Sequence, residues 1–431
     1  MLSWAKAFLD RSELLRHAAI LMAGTVVAQV IVLALTTVLT RIFSPTAYGQ
    51  FAVYSSIVAI ITVIATLRYD LAIMLPKSDS DAAVLKGVVT RVVIVVSVLA
   101  TLACGIAAPL LANLFNSPGI QGWLWVAGVS VFTLGELSGL IYWLNRKKRY
   151  REISINRIQQ SGTTALAQLA LGFASFAGVG GLIVGSIIGQ GAAVATLRWK
   201  TRGVKELRAE STHSRRSIMK RYRKMPLLNG PTALIDAVRL NGINILIGVY
   251  SVAALGQFSM AWRLLEVPAA LISGALSQVF FQRFAVTQKG SMLASARRSV
   301  VRTGLLGVVP FGLIYFLAPW LFPIVLGPQW GDAGYYAQAL VPWLFMNVIT
   351  SPISTLFVVA EAQQYLFAFS VVYMVVPLTI LTLLRSDMLL AITAVGWAMA
   401  AMLCVFIVMA FWVAKRHDRD DGTAVLKSEA A

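Results

Sequence analysis

Charge is scarce in this chain. Only 13% of its 431 residues are charged, 58% are hydrophobic and the mean hydropathy is +0.76, whereas a soluble domain carries about 25% charged residues. An ordinary water-soluble enzyme is excluded. Cysteine is rarer still: Cys104 and Cys404 are the only two, and each sits inside an apolar run as a small side chain. No disulfide framework is possible on that count. The three histidines, His17, His213 and His417, are scattered at the flanks of apolar runs, so no Cys/His metal spacing exists and no cofactor is implied. Acidic residues number 18 against 37 Lys and Arg, a net charge of +19. In a soluble protein that balance would point to nucleic acid.

What the chain does have is long apolar runs. Twelve of them, each near the roughly 20 residues that cross a hydrocarbon core, fall at about 18–40, 50–75, 88–111, 122–144, 158–177, 180–198, 226–249, 256–280, 301–326, 336–360, 365–384 and 388–414. None alternates as a barrel strand would, and lipid offers no partner to a free amide, so all twelve are predicted helices. The first is too long for a signal sequence and has no small-residue cleavage site after it, which makes it a retained membrane helix.

The cations fall between the runs and on alternate sides of them. With a cytoplasmic N-terminus, 33 Lys and Arg lie on the inner side and two, Arg41 and Arg385, on the outer side, leaving Arg239 and Arg263 within spans. The positive-inside rule then puts both termini in the cytoplasm. The +19 is thus a topology signal, and its partners are anionic membrane lipids, with no nucleic acid. Trp123, Trp125, Trp320, Trp330, Tyr335, Tyr336 and Trp343 gather near the predicted outer ends as an aromatic belt.

A repeat runs through the sequence. Ser44-Pro45-Thr46-Ala47-Tyr48-Gly49-Gln50-Phe51 and Ser251-Val252-Ala253-Ala254-Leu255-Gly256-Gln257-Phe258 match at five of eight positions, at an offset of 207. Both copies occupy the outer turn between the first and second helix of a six-helix set, so the halves run in the same direction, related by an axis along the membrane normal. The expected organisation is an N-terminal lobe (1–198), a basic cytoplasmic linker (199–225), a C-terminal lobe (226–414) and a cytoplasmic tail (415–431). Gly181, Gly185 and Gly189 form a small-residue ridge suited to helix packing. Asn229-Gly230-Pro231 and Pro268 are breaker signals where helices bend.

The stretch Gly24-Thr25, Gln29, Leu39-Thr40-Arg41-Ile42-Phe43-Ser44-Pro45, Tyr48-Gly49 and Leu67-Arg68-Tyr69-Asp70-Leu71-Ala72-Ile73 resembles the start of bacterial oligosaccharide flippases of the polysaccharide transporter family. These belong to the multidrug/oligosaccharidyl-lipid/polysaccharide exporter superfamily. Gly256-Gln257-Phe258 through Pro268 and Gln278-Val279-Phe280 looks like the second-half counterpart. The resemblance implies an all-α polytopic membrane protein with two parallel six-helix lobes around a central cavity. It further implies movement of undecaprenyl-pyrophosphate-linked oligosaccharide from the inner to the outer leaflet of the cytoplasmic membrane, for O-antigen or exopolysaccharide synthesis.

Charges inside the membrane carry the site reading. An ionisable group at mid-bilayer costs roughly 2.5–3.5 kcal/mol on insertion scales, so it faces a cavity or a partner. Asp236 and Arg239 lie three residues apart in the seventh span, Arg263 and Glu266 repeat that spacing in the eighth, and Glu136 stands alone in the fourth. Arg239 and Arg263 are candidates for a diphosphate headgroup because guanidinium is permanently charged and forks onto phosphate oxygens. Asp236, Glu266 and Glu136 are candidates for holding H+ or Na+ during a cycle. Internal ion pairs that merely lock a helix are the competing reading. Arg68 and Asp70, at the inner end of the second span, either snorkel to the interface or meet the pyrophosphate at the cytoplasmic mouth.

A drug or cation antiporter of the same superfamily would share the layout, but intramembrane arginines repel a cationic cargo. A membrane polymerase or ligase would need sizeable outer loops, and here those connections are about ten residues or fewer. The chain is therefore read as a transporter and not an enzyme, with a polysaccharide polymerase as a possible partner. No ATP-binding motif is present, so ion or carrier-lipid gradients supply the energy.

Overall fold

The computed structural model describes residues 26–211, 213–285, 291–360 and 362–429, and all regular structure among them is helical. Lys6, Arg11, Arg16 and Gly24-Thr25 lie outside the described residues. Each predicted span carries a long helix. In the first half these are α1 (Val26–Ile42), α2 (Pro45–Ala65), α4 (Asp79–Ile106), α6 (Ala127–Arg146), α7 (Tyr150–Phe173) and α8 (Val179–Lys200). In the second half they are α11 (Gly230–Tyr250), α12 (Val252–Ala285), α13 (Met292–Leu326), α14 (Gly331–Ser354), α16 (Gln363–Leu383) and α17 (Met388–Glu429). Short helices α3 (Tyr69–Ala72), α5 (Ala108–Leu114), α9 (Val204–Ala209), α10 (Arg215–Arg221) and α15 (Leu356–Val359) fill the connections.

Among the described residues, seven helices are long and apolar enough to cross a membrane, and α1 and residues 368–383 of α16 are shorter apolar helices. One helix outside that set, α7, shows why apolarity alone misses some spans. Its Asn156 Nδ2 donates to Ala193 O (3.0 Å), Gln159 Nε2 to Thr196 Oγ1 (2.8 Å) and Gln168 Nε2 to Leu182 O (3.0 Å), so its polar side chains are consumed by α8. Lipid leaves such groups no other partner. The Gly181, Gly185 and Gly189 ridge of α8 makes room nearby: a Cβ at Gly185 would stand 2.9 Å from Gln168 N and one at Gly189 2.8 Å from Thr164 N.

The chain divides into two compact units, residues 1–256 and 257–431. The division falls about thirty residues beyond the basic linker, because α11 packs on α2 within the first unit, where Asn244 Nδ2 donates to Ser56 Oγ (3.3 Å). The repeat is visible in local geometry. Ser44 Oγ accepts from Ala47 N and Ser251 Oγ from Ala254 N, both at 3.2 Å, so one serine N-cap starts α2 and its equivalent starts α12. Gln50 Nε2 then donates to Ser117 Oγ (2.7 Å) and Gln257 Nε2 to Gln329 O (2.8 Å), each tying its helix to the 3-10 turn before the fourth helix of its half.

Inside the first unit, α2 crosses the first turn of α12 at the two equivalent glycines. A Cβ on Gly49 would lie 1.8 Å from Val252 O, and one on Gly256 would lie 1.8 Å from Pro45 O. Hydrogen is the only side chain that fits either place.

The basic linker is structured. Ile218 on α10 is 2% exposed and joins Tyr69, Ala72, Ile73, Leu85 and Val89 in a core cluster, with Met219, Tyr222 and Met225 packed around it. A π-turn over Met225–Asn229 leads into α11, which starts at Gly230, so Asn229-Gly230-Pro231 does mark a change of helix geometry. The backbone of α12 continues as helix through position 268, whose side chain lies outside those described. In the second unit the helix α17 runs past its predicted end, and Asp418 caps α13 by accepting from Met292 N (2.9 Å) and Leu293 N (3.0 Å). The aromatic belt holds in part. Trp125 and Trp320 are exposed, whereas Trp330 and Trp343 are buried, taken up by packing that their position near a helix end did not reveal.

Candidate functional site

Three groups of charged or polar side chains are built into the helices. The first begins at α4. Ser78 Oγ caps it by accepting from Asp81 N (3.2 Å), so the helix starts at Asp79, nine residues before the predicted span. This places Lys86 two turns inside and 8% exposed. Its Nζ pairs with Glu136 Oε1 and donates to Thr90 Oγ1 (2.9 Å). Arg198 Nε reaches the same Oε1 at 3.1 Å, with its guanidinium over the Phe132 ring. Glu136 is 0% exposed and its Oε2 has no partner. A buried lysine and a partly exposed arginine on one carboxylate recover part of the desolvation cost that a lone buried charge would bear. The group lines a cavity of about 840 Å³ walled by α4, α8 and α9.

The second group surrounds the turn after α2. Leu67 (φ 46°) and Arg68 (φ 57°) are both left-handed, a conformation costly for non-glycine residues, and it points the chain back into the unit. Asp70 is 3% exposed and does not snorkel: its Oδ2 accepts from Ser138 Oγ (2.7 Å), while Oδ1 and Arg68 Nε have no hydrogen-bond partner. Tyr69 donates its hydroxyl to Met219 O (3.3 Å). Asp79 meanwhile clamps Arg146 (2.8 Å) and Lys147 at the end of α6, which turns two of the inner cations into a loop lock.

The third group is in the second unit. Arg263 on α12 is exposed and, among the described residues, makes no ion pair with Glu266. Glu266 Oε2 instead accepts from Trp262 Nε1 (2.5 Å). The Trp262 ring lies 4.8 Å from that of Trp343, Trp343 Nε1 donates to Tyr373 OH (2.5 Å), and Tyr373 stacks on Phe369 at 5.3 Å. An arginine, a carboxylate and a row of aromatic rings thus come from α12, α14 and α16.

Of the residues singled out in the sequence, Glu136 is joined by Lys86 and Arg198, Arg68 and Asp70 share one turn, and Arg263 and Glu266 share one face without pairing. Arg239 is half-buried on α11, in the first unit. The side chain of Asp236 lies outside those described. Sequence reading missed Lys86 and the aromatic row. The Ser78-x-x-Asp81 capping signal would have placed Lys86 inside the helix. Trp262, Trp343 and Tyr373 come from helices far apart in sequence, and no local pattern joins them.

These features define a polytopic membrane protein, helical throughout its described residues, with charges held inside its helices. The polysaccharide biosynthesis protein family matches residues 38–335, and the chain belongs to that family. No curated protein matches it. Among solved structures it is similar to the lipid II flippase MurJ in an inward closed conformation, with a TM-score of 0.67 and 11% identity over 94% of this chain and 92% of that one. It is also similar to a MOP superfamily transporter from Pyrococcus furiosus (TM-score 0.53, 13% identity, 94% of each chain). A MATE transporter bound to MaD5 gives 0.50 and 14% over 95% of this chain and 96% of that one. At these identities the likeness is one of fold.

Proposed function

We propose that the protein is a flippase for undecaprenyl-pyrophosphate-linked oligosaccharide, moving it from the inner to the outer leaflet of the bacterial cytoplasmic membrane for O-antigen or exopolysaccharide synthesis. The observation that carries this reading is Arg263. It stands eleven residues into α12, about 16 Å along the helix at 1.5 Å per residue, exposed and unpaired with the nearest acid on its own helix. A charge at that depth is costly unless it serves a polar cargo.

Arg263 forks onto a diphosphate oxygen pair, and Arg239, on the first unit, is a separate candidate cation of the same kind. The apolar faces of sugar rings stack on the aromatic row of Trp262 and Tyr373, whose polar edges are held by Glu266 and Trp343. Family membership supports a saccharide cargo. Alternating access of two parallel six-helix lobes, with both termini cytoplasmic, moves the headgroup while the polyprenyl chain remains in lipid. Glu266, Asp236 and Asp70 are the candidates for binding H+ or Na+ in that cycle. A cationic drug would be repelled by Arg263, which sets the antiporter reading second.

The test is accumulation of lipid-linked saccharide on the inner leaflet of a deletion strain complemented with variants. Arg263→Ala and Arg239→Ala are expected to lose translocation by tenfold or more at normal expression, and Arg263→Lys to recover part of it, because a point charge attracts phosphate without forking it. Normal transport by both alanine variants sinks the headgroup role.

A further inference from the structure

The basic cavity of the first unit is not used by the transport scheme. Its wall on α4 carries Lys86 and Arg91, its wall on α8 carries Arg198, and Arg202, Lys205 and Arg208 reach it from the chain that follows. Glu136 Oε1 occupies Lys86 and Arg198. Among the described residues, Arg91, Arg202, Lys205 and Arg208 have no carboxylate partner, so four cations face the cavity uncompensated. Glu136 adds the opposite requirement: its buried, partnerless Oε2 calls for a hydrogen-bond donor. Farther along, α4 exposes Ile94, Val98 and Leu102 at helical spacing, and Trp199 on α8 is 62% exposed beside the cavity. That exposed apolar face suits an acyl chain, and a tryptophan suits the headgroup level of a bilayer.

We propose that this cavity binds an anionic glycerophospholipid from the leaflet that the basic segments face. Its phosphodiester sits among Arg91, Arg202, Lys205 and Arg208. A hydroxyl of its headgroup glycerol donates to Glu136 Oε2, and its chains lie along α4. A lipid-linked oligosaccharide fits less well, because α9 lies across the polar end: a Cβ at Gly87 of α4 would be 3.0 Å from Arg208 Nη1. The room is that of a compact headgroup. Basic pockets between membrane helices on the cytoplasmic side are a physical setting for such recognition.

The test is lipid exchange on the purified protein in nanodiscs, read by native mass spectrometry. The wild-type protein is expected to retain phosphatidylglycerol over phosphatidylcholine. Each cation near such a lipid contributes about fivefold, so Arg91→Ala/Lys205→Ala/Arg208→Ala together lower the retention by about a hundredfold. The control Arg216→Ala/Lys220→Ala/Arg223→Ala removes the same charge from the region of α10, outside the cavity, and leaves it unchanged. Phosphatidylmethanol, which has the phosphodiester but no glycerol donor, is expected to bind the wild-type protein about tenfold more weakly, the scale of a hydrogen bond to a charged group. That comparison needs no variant and holds even if a triple variant fails to fold. Equal loss in both triple variants overturns the site in favour of diffuse surface attraction. Equal binding of phosphatidylmethanol overturns the role given to Glu136. Displacement of phosphatidylglycerol by polyprenyl diphosphate at equal concentration makes the cavity a substrate site instead.

Discussion

A carboxylate with no water contact, as at Glu136, is stable only while its cations stay in place. Removing one member of a buried ion group leaves an uncompensated charge and costs about 3–5 kcal/mol, whereas replacing the group by apolar residues is often neutral. Glu136→Leu, which strands the buried Lys86, is therefore expected to destabilise the protein by about that amount. Adding Lys86→Met should recover most of the loss, since Arg198 is 45% exposed and can turn to water. Thermal melting in detergent measures both. A double variant no more stable than Glu136→Leu would mean that Lys86 is not held by the carboxylate. At this scale the sequence was legible in residue type and not in pairing. Intramembrane acids stand out against an apolar background, but their partners come from elements 50 and 62 residues away, Lys86 and Arg198, which the basic segments on either side disguised as loop charges.

Helices in this chain meet where side chains are smallest, and the crossing of α2 with the start of α12 is the tightest of these contacts. Each of the two equivalent glycines would put a Cβ 1.8 Å from the carbonyl oxygen of the residue four positions before the other glycine. Backbone cannot give way as a side-chain tip can, so Gly49→Ala or Gly256→Ala must part the helices, at about 1–3 kcal/mol for overpacking. Both variants are expected to lower the melting temperature and to impair transport, and Gly122→Ala, where a Cβ meets nothing within 4 Å, should do neither. A second expectation concerns the linker. Ile218→Ser removes an isoleucine that is 2% exposed, worth about 1.5–3 kcal/mol of burial, and should free α10 to proteolysis while the membrane helices stay folded. The repeat, the serine caps and the glycine ridge were readable in the sequence because each is a local pattern. The packing of α10 was not, since one isoleucine among arginines has no periodicity to betray it.

The whole molecule is a set of helices whose ends alternate between two chemistries, and the structure gives that alternation independent support within each unit. In the first unit, Asp79 at the start of α4 clamps Arg146 and Lys147 at the end of α6, and Arg149 before α7 donates to Lys200 O at the end of α8 (3.2 Å), so these four ends lie on one side. The end of α6, the start of α7 and the end of α8 are rich in Lys and Arg, and the acidic start of α4 is tied to them. The opposite ends carry the Gln50 to Ser117 bond and neutral turns. In the second unit Asp418 joins the end of α17 to the start of α13, while Gln257 joins the start of α12 to the turn before α14. On the proposed orientation, which follows the positive-inside rule, the basic ends face the cytoplasm. With Cys104 and Cys404 replaced by alanine, Glu210→Cys, on the exposed segment after α9, should therefore stay unlabelled by an impermeant maleimide in intact spheroplasts and react once the membrane is broken. Gly331→Cys, where a Cβ meets no neighbour within 4 Å, should label from outside. Labelling of both from the same side would mean that an even number of crossings lies between them, where the twelve-helix layout has the three of α11, α12 and α13. It would overturn the orientation and with it the placing of the basic cavity in the cytoplasmic leaflet.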